Sequence, residues 1–252
     1  MCLIVFAYNI HPAYPLIIGA NRDEFFDRPT APLGWWKGHP HVLAGQDLQA
    51  GGTWMGITDT GRFAAITNFR DPSRTKQNAP SRGALVGDFL CSDTSARTYL
   101  AQVRESAEAY NGFNLMVKDG AGLFYYANYQ DRIQRLCAGV YGLSNHLLDT
   151  DWPKVKKTRK GLTSLMEQDL VDEEAIFTLL ADQQPAPEAL LPDTGIGPAW
   201  ERLLSSVFIR SKTYGTRSSS VILMGKNGQV RFSERTFDVS GYCGQKSETV
   251  IL

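Results

Sequence analysis

Two features of this 252-residue chain carry residue types capable of chemistry: a thiol at Cys2 and the polar tetrapeptide Asn21-Arg22-Asp23-Glu24. Removal of Met1 would leave Cys2 with both its thiol and the chain's α-amine. Their reference pKa values are about 8.5 and about 7.7–8.0, so one residue supplies a nucleophile and a base near neutrality. Asp23 is suited to hold the ammonium and the thiol in register. Arg22 is suited to lower the thiol pKa or to hold an anionic ligand. A cysteine at a strand start is equally a small buried hydrophobe, and position alone does not separate the two readings.

The elements around these residues must bring them together. Residues 2–8 form an apolar, β-branched and aromatic run that reads as a buried strand, and residues 14–21 read as a second. Paired as a hairpin, the second strand returns residues 21–24 to the side of Cys2. A charged tetrapeptide there costs desolvation unless it has partners or a task. A second hairpin, residues 53–58 and 62–68 across Asp59-Thr60-Gly61, ends in Asn68, whose amide could donate to a developing oxyanion or simply make a turn. The strand at 140–145 also ends in a polar residue, Asn145. Arg217 stands at the entrance of a late hairpin, residues 219–224 and 230–235, among the small residues Gly215, Thr216 and Ser218.

Residues 25–41 are aromatic and proline-rich without strand or helix periodicity, which predicts a loop. Within it Trp35 and Trp36 make either a satellite core or the wall of a ligand pocket. Residues 70–80 are polar, with Arg70, Arg74 and Lys76 either solvated or receiving an anionic group. Ser81 is the expected N-cap of the next helix, which Arg82 and Gly83 open and which buries Leu85, Phe89 and Leu90. A second helix is expected over 94–108, capped by Ser92 or Asp93. Residues 153–168 read as an amphipathic helix with Val155, Leu162 and Leu165 inward. Its Lys154, Lys156, Lys157, Arg159 and Lys160 read as a solvated face. Residues 249–252 read as a short edge strand.

Strands and helices come in batches, roughly strands 2–68, helices 81–108, strands 113–145, helices 153–206 and strands 218–237. That order disfavours a doubly wound sheet and favours an α+β fold of antiparallel hairpins, expected as one domain over 1–252. Basic and acidic residues balance at 26 each, so no global field selects nucleic acid. No apolar run is long enough to span a bilayer, and no basic flank or cleavage site marks a secretory signal. Contact with a membrane would therefore be transient. Cys2, Cys91, Cys137 and Cys243 are scattered, which suits a reducing compartment and free thiols rather than disulfides or a metal site. A cytoplasmic location follows as the expectation.

The tetrapeptide, with Cys2 near the start, resembles the signature of the NRDE family, also called the Transport and Golgi organization 2 family. Further segments share the resemblance: Gly51-Gly52-Thr53-Trp54-Met55-Gly56, Thr67-Asn68-Phe69-Arg70, Ser81-Arg82-Gly83, Gly142-Leu143-Ser144-Asn145, Trp152-Pro153-Lys154 and Gly215-Thr216-Arg217-Ser218. The resemblance implies an N-terminal-nucleophile (Ntn) hydrolase-like fold, a four-layer αββα sandwich of two antiparallel sheets. In the cysteine branch of those hydrolases the pattern resembles Cys2 as nucleophile, Asp23 as orienting carboxylate, Asn68 and Asn145 as oxyanion donors, and Arg217 as the late arginine. Their Arg-Asn-x-Asp stands here as Ala20-Asn21-Arg22-Asp23. Strand alternation then turns Arg22 away from its neighbours' face and, on this reading, away from the thiol.

The resemblance also implies a ligand. Heme trafficking is one role linked to the family, with heme as a non-covalently carried ligand rather than a covalent cofactor, since no C-x-x-C-H motif occurs. An acyl-CoA or other lipid is the alternative ligand. Asn21, Arg22, Glu24, Trp35, Trp36, Arg70 and Arg82 are the candidate ligand-binding residues. The reading from a different class is a Cys2-dependent amidohydrolase or thioesterase.

Overall fold

Short apolar runs buried on both faces and amphipathic stretches divide this chain into antiparallel strands and short helices. The computed structural model describes residues 2–252. In chain order the first elements are β1 (Cys2–Tyr8), β2 (Leu16–Phe25), β3 (Thr30–Trp36), β4 (His39–Asp47), β5 (Met55–Thr58) and β6 (Phe63–Asn68). There follow α1 (Gly83–Cys91), α2 (Ala96–Ser106), β7 (Phe113–Asp119), β8 (Gly122–Ala127), β9 (Arg132–Arg135) and β10 (Gly139–Leu143). The chain ends with α3 (Pro153–Glu167), α4 (Glu173–Leu180), α5 (Pro198–Leu203), β11 (Tyr214–Met224), β12 (Gln229–Asp238) and β13 (Gly241–Ile251).

Two compact units result. The first takes the residues up to Asp27 together with Cys137–Thr249. Its sheet has the strand order β10-β1-β2-β11-β12-β13. Val5, Ala7, Ile17, Val221 and Leu223 line one face, and α3 and α4 cover them with Leu162, Ile176, Phe177 and Leu180. A smaller cluster of Leu3, Trp152, Val155 and Val207 closes the β1 end of that face.

The second unit takes Arg28–Leu136 and Val250–Leu252. Its sheet runs β3-β4-β5-β6-β7-β8-β9 in sequence order, so each strand pairs with its chain neighbour. Val42, Ala64, Ile66, Leu115 and Val117 meet Leu85, Phe89 and Leu100 from α1 and α2 in its core. Two antiparallel sheets, each with its own helices, make the α+β class expected from the batches of strands and helices.

Several local expectations need correction. The aromatic stretch after Phe25 is not a loop: β3 and β4 pair across it, and register shifts at Ala31/Gly34 and Trp35/Trp36 absorb Pro32 and break the alternation that would have revealed them. Ser81 does not cap α1, because the N-cap position falls on Arg82 and no side chain caps it. Ser95, not Ser92 or Asp93, caps α2 by accepting from Thr98 N. The final strand is eleven residues long rather than four. Among the described residues no helix is long and apolar enough to cross a membrane.

Candidate functional site

The hairpin of β1 and β2 sets Cys2 directly opposite Arg22. Register partners point to the same side of a sheet, so Arg22 shares the face of Cys2, and the expectation that alternation turns it away from the thiol is corrected. What alternation does separate is Arg22 from Asp23. β11 extends the row: Ser218 is the register partner of Arg22, and Thr216 that of Asp23. Arg217 is the extra residue at the register shift between them, a β-bulge that re-aims one side chain without losing either pairing. The thiol, a guanidinium and a hydroxyl thus lie in one row across β1, β2 and β11.

Electrostatics bind this row together. Burial pushes the Cys2 thiol upward, the chain's amino-terminal ammonium and Arg22 oppose that push, and Asp23 and Glu24 add to it. Arg217 is lowered by burial and by the nearby Arg22 guanidinium, while Glu24 acts in the other direction. Arg217 donates through Nη1 to the carbonyls of Phe25 (2.8 Å) and Phe26 (3.1 Å), which holds its guanidinium at the end of β2. The Ser218 hydroxyl is buried and has no hydrogen-bond partner among the described residues.

The opposite face of β2 is spent differently. Asn21 Nδ2 donates to Leu180 O (2.9 Å) and Val207 O (2.8 Å), and Asn21 Oδ1 accepts from Ser219 Oγ at 2.6 Å. These bonds anchor the end of α4 and the 207 segment to the sheet. Asp23 is buried, and its Oδ1 accepts from Thr216 Oγ1 at 2.7 Å, while Thr216 Oγ1 accepts from Ile209 N. Burial raises the Asp23 pKa, and Lys154 heads the influences that pull it back. Lys154 is only 2% exposed, so the solvated face expected of α3 loses its first member. The signal was present in the spacing: Lys154, Thr158 and Leu162 fall four apart on the buried stripe.

Asn145 is buried two residues beyond Leu143, the register partner of Ile4. Ser144 Oγ donates to the Cys2 carbonyl at 3.1 Å and lies 3.3 Å from Asn145 Oδ1, so this corner is tied to the start of β1. Cys2, Arg22, Asp23, Glu24, Asn145 and Arg217 therefore gather at one end of the first unit's sheet. Sequence reasoning met Ser144, Lys154, Thr216 and Ser218 within its motifs but counted none of them among the site residues.

The remaining candidates belong to the second unit. Asn68 ends β6 opposite Phe113 and is half-buried, and Arg70 is buried two residues on. Arg82 Nη1 donates to Gly112 O at 2.9 Å, the same carbonyl that accepts from Phe69 N, so Arg82 fastens the start of α1 to the loop before β7. Trp36 packs against the α1 core, with its ring over Gly87, whereas Trp35 is 40% exposed. Trp36 thus takes the core role considered for the pair.

Comparison with known proteins adds the family. The description Transport and Golgi organisation 2 matches residues 1–239. The chain belongs to that family. The mouse Transport and Golgi organization 2 homolog is 37% identical over 94% of this chain and 93% of its own length, and the cattle homolog is 38% identical over the same shares. Among solved structures, the C2A mutant of the conjugated bile acid hydrolase from Clostridium perfringens is similar with TM-score 0.51 and 11% identity, over 100% of this chain and 92% of that one. That likeness gives the fold: the family member described here is Ntn-hydrolase-like.

Proposed function

We propose that this chain handles a small ligand with a flat or long apolar body and anionic groups, held non-covalently at the Cys2–Arg22–Ser218 row. Heme carried in trafficking is the ligand we put forward, and an acyl-CoA is its alternative. The observation that carries the reading is the row itself: two neighbouring guanidiniums, Arg22 and Arg217, beside a buried hydroxyl with no partner among the described residues. Like charges held together in a part-buried setting disfavour each other. A carboxylate or phosphate that entered between them would gain charge-assisted hydrogen bonds and would give Ser218 an acceptor. The raised thiol pKa suits Cys2 to contact a ligand as a neutral thiol rather than to attack it.

Titration of hemin and of palmitoyl-CoA into wild type, Arg22→Gln and Arg217→Gln tests this. Hydrogen bonds to charged groups contribute about 1.5–3 kcal/mol, so each variant should weaken the true ligand by roughly tenfold or more. Equal binding by wild type and both variants would end the proposal.

A second reading, Cys2-dependent hydrolysis of an amide or thioester, draws on a different observation: the buried Asp23 and Asn145 flank the start of β1, with Ser144 on the Cys2 carbonyl. In that reaction the freed α-amine takes the proton of the Cys2 thiol, and the thiolate attacks the carbonyl carbon while Asn145 donates to the oxyanion. The amine or thiol leaving group departs with that proton, and water then hydrolyses the acyl-thioester to free Cys2. Intact-mass analysis decides whether the amine exists. A purified chain that retains Met1, or a Cys2→Ser variant with undiminished turnover, would remove this reading and leave the first standing.

A further inference from the structure

The least expected charge in the first unit is a lysine sealed beneath the sheet. Lys154 follows Pro153 in the first turn of α3, between Trp152 and Val155, which pack with Leu3 and Val207 at the β1 end of the helix-covered face. Asn21 and Asp23 lie on that face too: Asn21 donates to the carbonyl of Val207, and Asp23 bonds Thr216, whose hydroxyl also holds Ile209 N. Lys154 and Asp23 are 2% and 1% exposed, so water screens neither. A buried ammonium and a buried carboxylate are each costly alone, and each makes the other tolerable.

We infer that Lys154 is the counter-ion of Asp23, a positioning residue that keeps a carboxylate beneath Cys2 while Arg22 faces the thiol from the other side of β2. The inference deepens the proposed site and rests on Cys2 being its centre, but it does not depend on which ligand the site takes. The charged groups that act on Asp23 are Lys154 from α3, the chain's amino terminus and Arg22 on its own strand. Those acting on Cys2 are the amino terminus, Asp23, Arg22 and Glu24, with Asp23 and Glu24 disfavouring the thiolate. Take away the Lys154 charge and the burial that raises the Asp23 pKa loses its largest opponent, so the carboxyl keeps its proton to higher pH. The thiolate of Cys2 loses a negative neighbour and forms more readily.

The test is the pH profile of iodoacetamide alkylation at Cys2, resolved from Cys91, Cys137 and Cys243 by peptide mass. Wild type, Lys154→Met, Lys154→Arg, Asp23→Asn and the Lys154→Met/Asp23→Asn pair are compared. Circular dichroism and a thermal melt establish that each variant is folded. Lys154→Met should move the profile to lower pH. At a fixed pH below the transition, alkylation should be about tenfold faster for every pH unit by which the midpoint falls. Lys154→Arg should restore the wild-type profile, Asp23→Asn should reproduce the acid displacement of Lys154→Met, and the double variant should move no further than either single one. A folded Lys154→Met with the wild-type profile, or a displacement that arginine does not reverse, would overturn the inference. If Lys154→Met does not fold, the Lys154→Arg and Asp23→Asn profiles decide it: Asp23→Asn without an acid displacement overturns it. Hemin and palmitoyl-CoA titrations of the same proteins report on the ligand proposal separately, since failure there leaves the alkylation result intact.

Discussion

Replacing Asn21 by Ala should destabilise the first unit. The side chain is fully buried and makes three hydrogen bonds, to Leu180 O at 2.9 Å, Val207 O at 2.8 Å and from Ser219 Oγ at 2.6 Å. Alanine leaves two carbonyls and a hydroxyl facing a void too apolar to compensate them. Each buried group that loses its partner costs about 1–3 kcal/mol. The three share one neighbourhood and so do not add in full, and about 3–5 kcal/mol in total is expected. At this chain length each kcal/mol moves the melting temperature by roughly 2–4 °C, so Asn21→Ala should melt about 6–20 °C lower. Calorimetry with far-UV circular dichroism measures the fall. Ser219→Ala, which removes one donor and leaves the amide's two bonds to carbonyls, should cost only about 1 kcal/mol. Coupling in the double-variant cycle then reports the Ser219–Asn21 bond alone. A fall below about 2 °C for Asn21→Ala would refute the claim that this amide ties α4 and the 207 segment to the sheet.

Other perturbations read other parts of the chain. Gly51 and Gly52 both have φ near +70°, yet an added Cβ meets nothing at Gly51, while at Gly52 it runs into the Gly83 carbonyl oxygen. Gly51→Ala should cost only the left-handed strain, about 1–2 kcal/mol, and Gly52→Ala distinctly more, with equal melting temperatures counting against the contact. Asp47 has a lowered pKa although burial alone would raise it, because Arg28 Nε and Nη2 and the amides of Gln49 and Ala50 all donate to it. A depressed carboxylate gives stability above its unfolded value of about 3.9 that is lost as pH falls through the folded value. Arg28→Gln should therefore be less stable by up to about 1 kcal/mol from pH 5 to neutrality, and the gap should close as Asp47 is protonated; a gap that widens in acid would contradict this.

The pattern of residues made much of this architecture readable. Residues 2–8 and 16–25 are apolar enough, and close enough in sequence, to specify their hairpin, and that hairpin alone sets the tetrapeptide beside Cys2. The batches of strands and helices led to the α+β class. What escaped did so for identifiable reasons. Pro32 and two register shifts hid β3, because irregular strands lose the period-two signal that reveals them. Exposed residues such as Tyr242, 62% accessible, disguised β13 as tail. Lys154 was assigned to solvent by its charge, although its spacing from Thr158 and Leu162 placed it inward. Residue type outweighed periodicity there, and at a site that ordering fails, since sites are where charge is buried against local preference.

The same tension explains why the signature is four consecutive polar residues on a strand that is otherwise apolar. Consecutive residues serve opposite faces, so the tetrapeptide cannot crowd into one cavity. Asn21 and Asp23 work on the helix-covered face, one as an anchor and one as a buried carboxylate held by Thr216. Arg22 works on the face of the thiol. A regular β11 could match only one of these sets in register at the right spacing. The bulge at Arg217 lets Thr216 meet Asp23 while Ser218 meets Arg22, and it delivers a second guanidinium beside the first. Alternation along β2 and the bulge in β11 thus set the Asp23 carboxylate and the Arg22 guanidinium on opposite faces of one strand, each beside its own register partner.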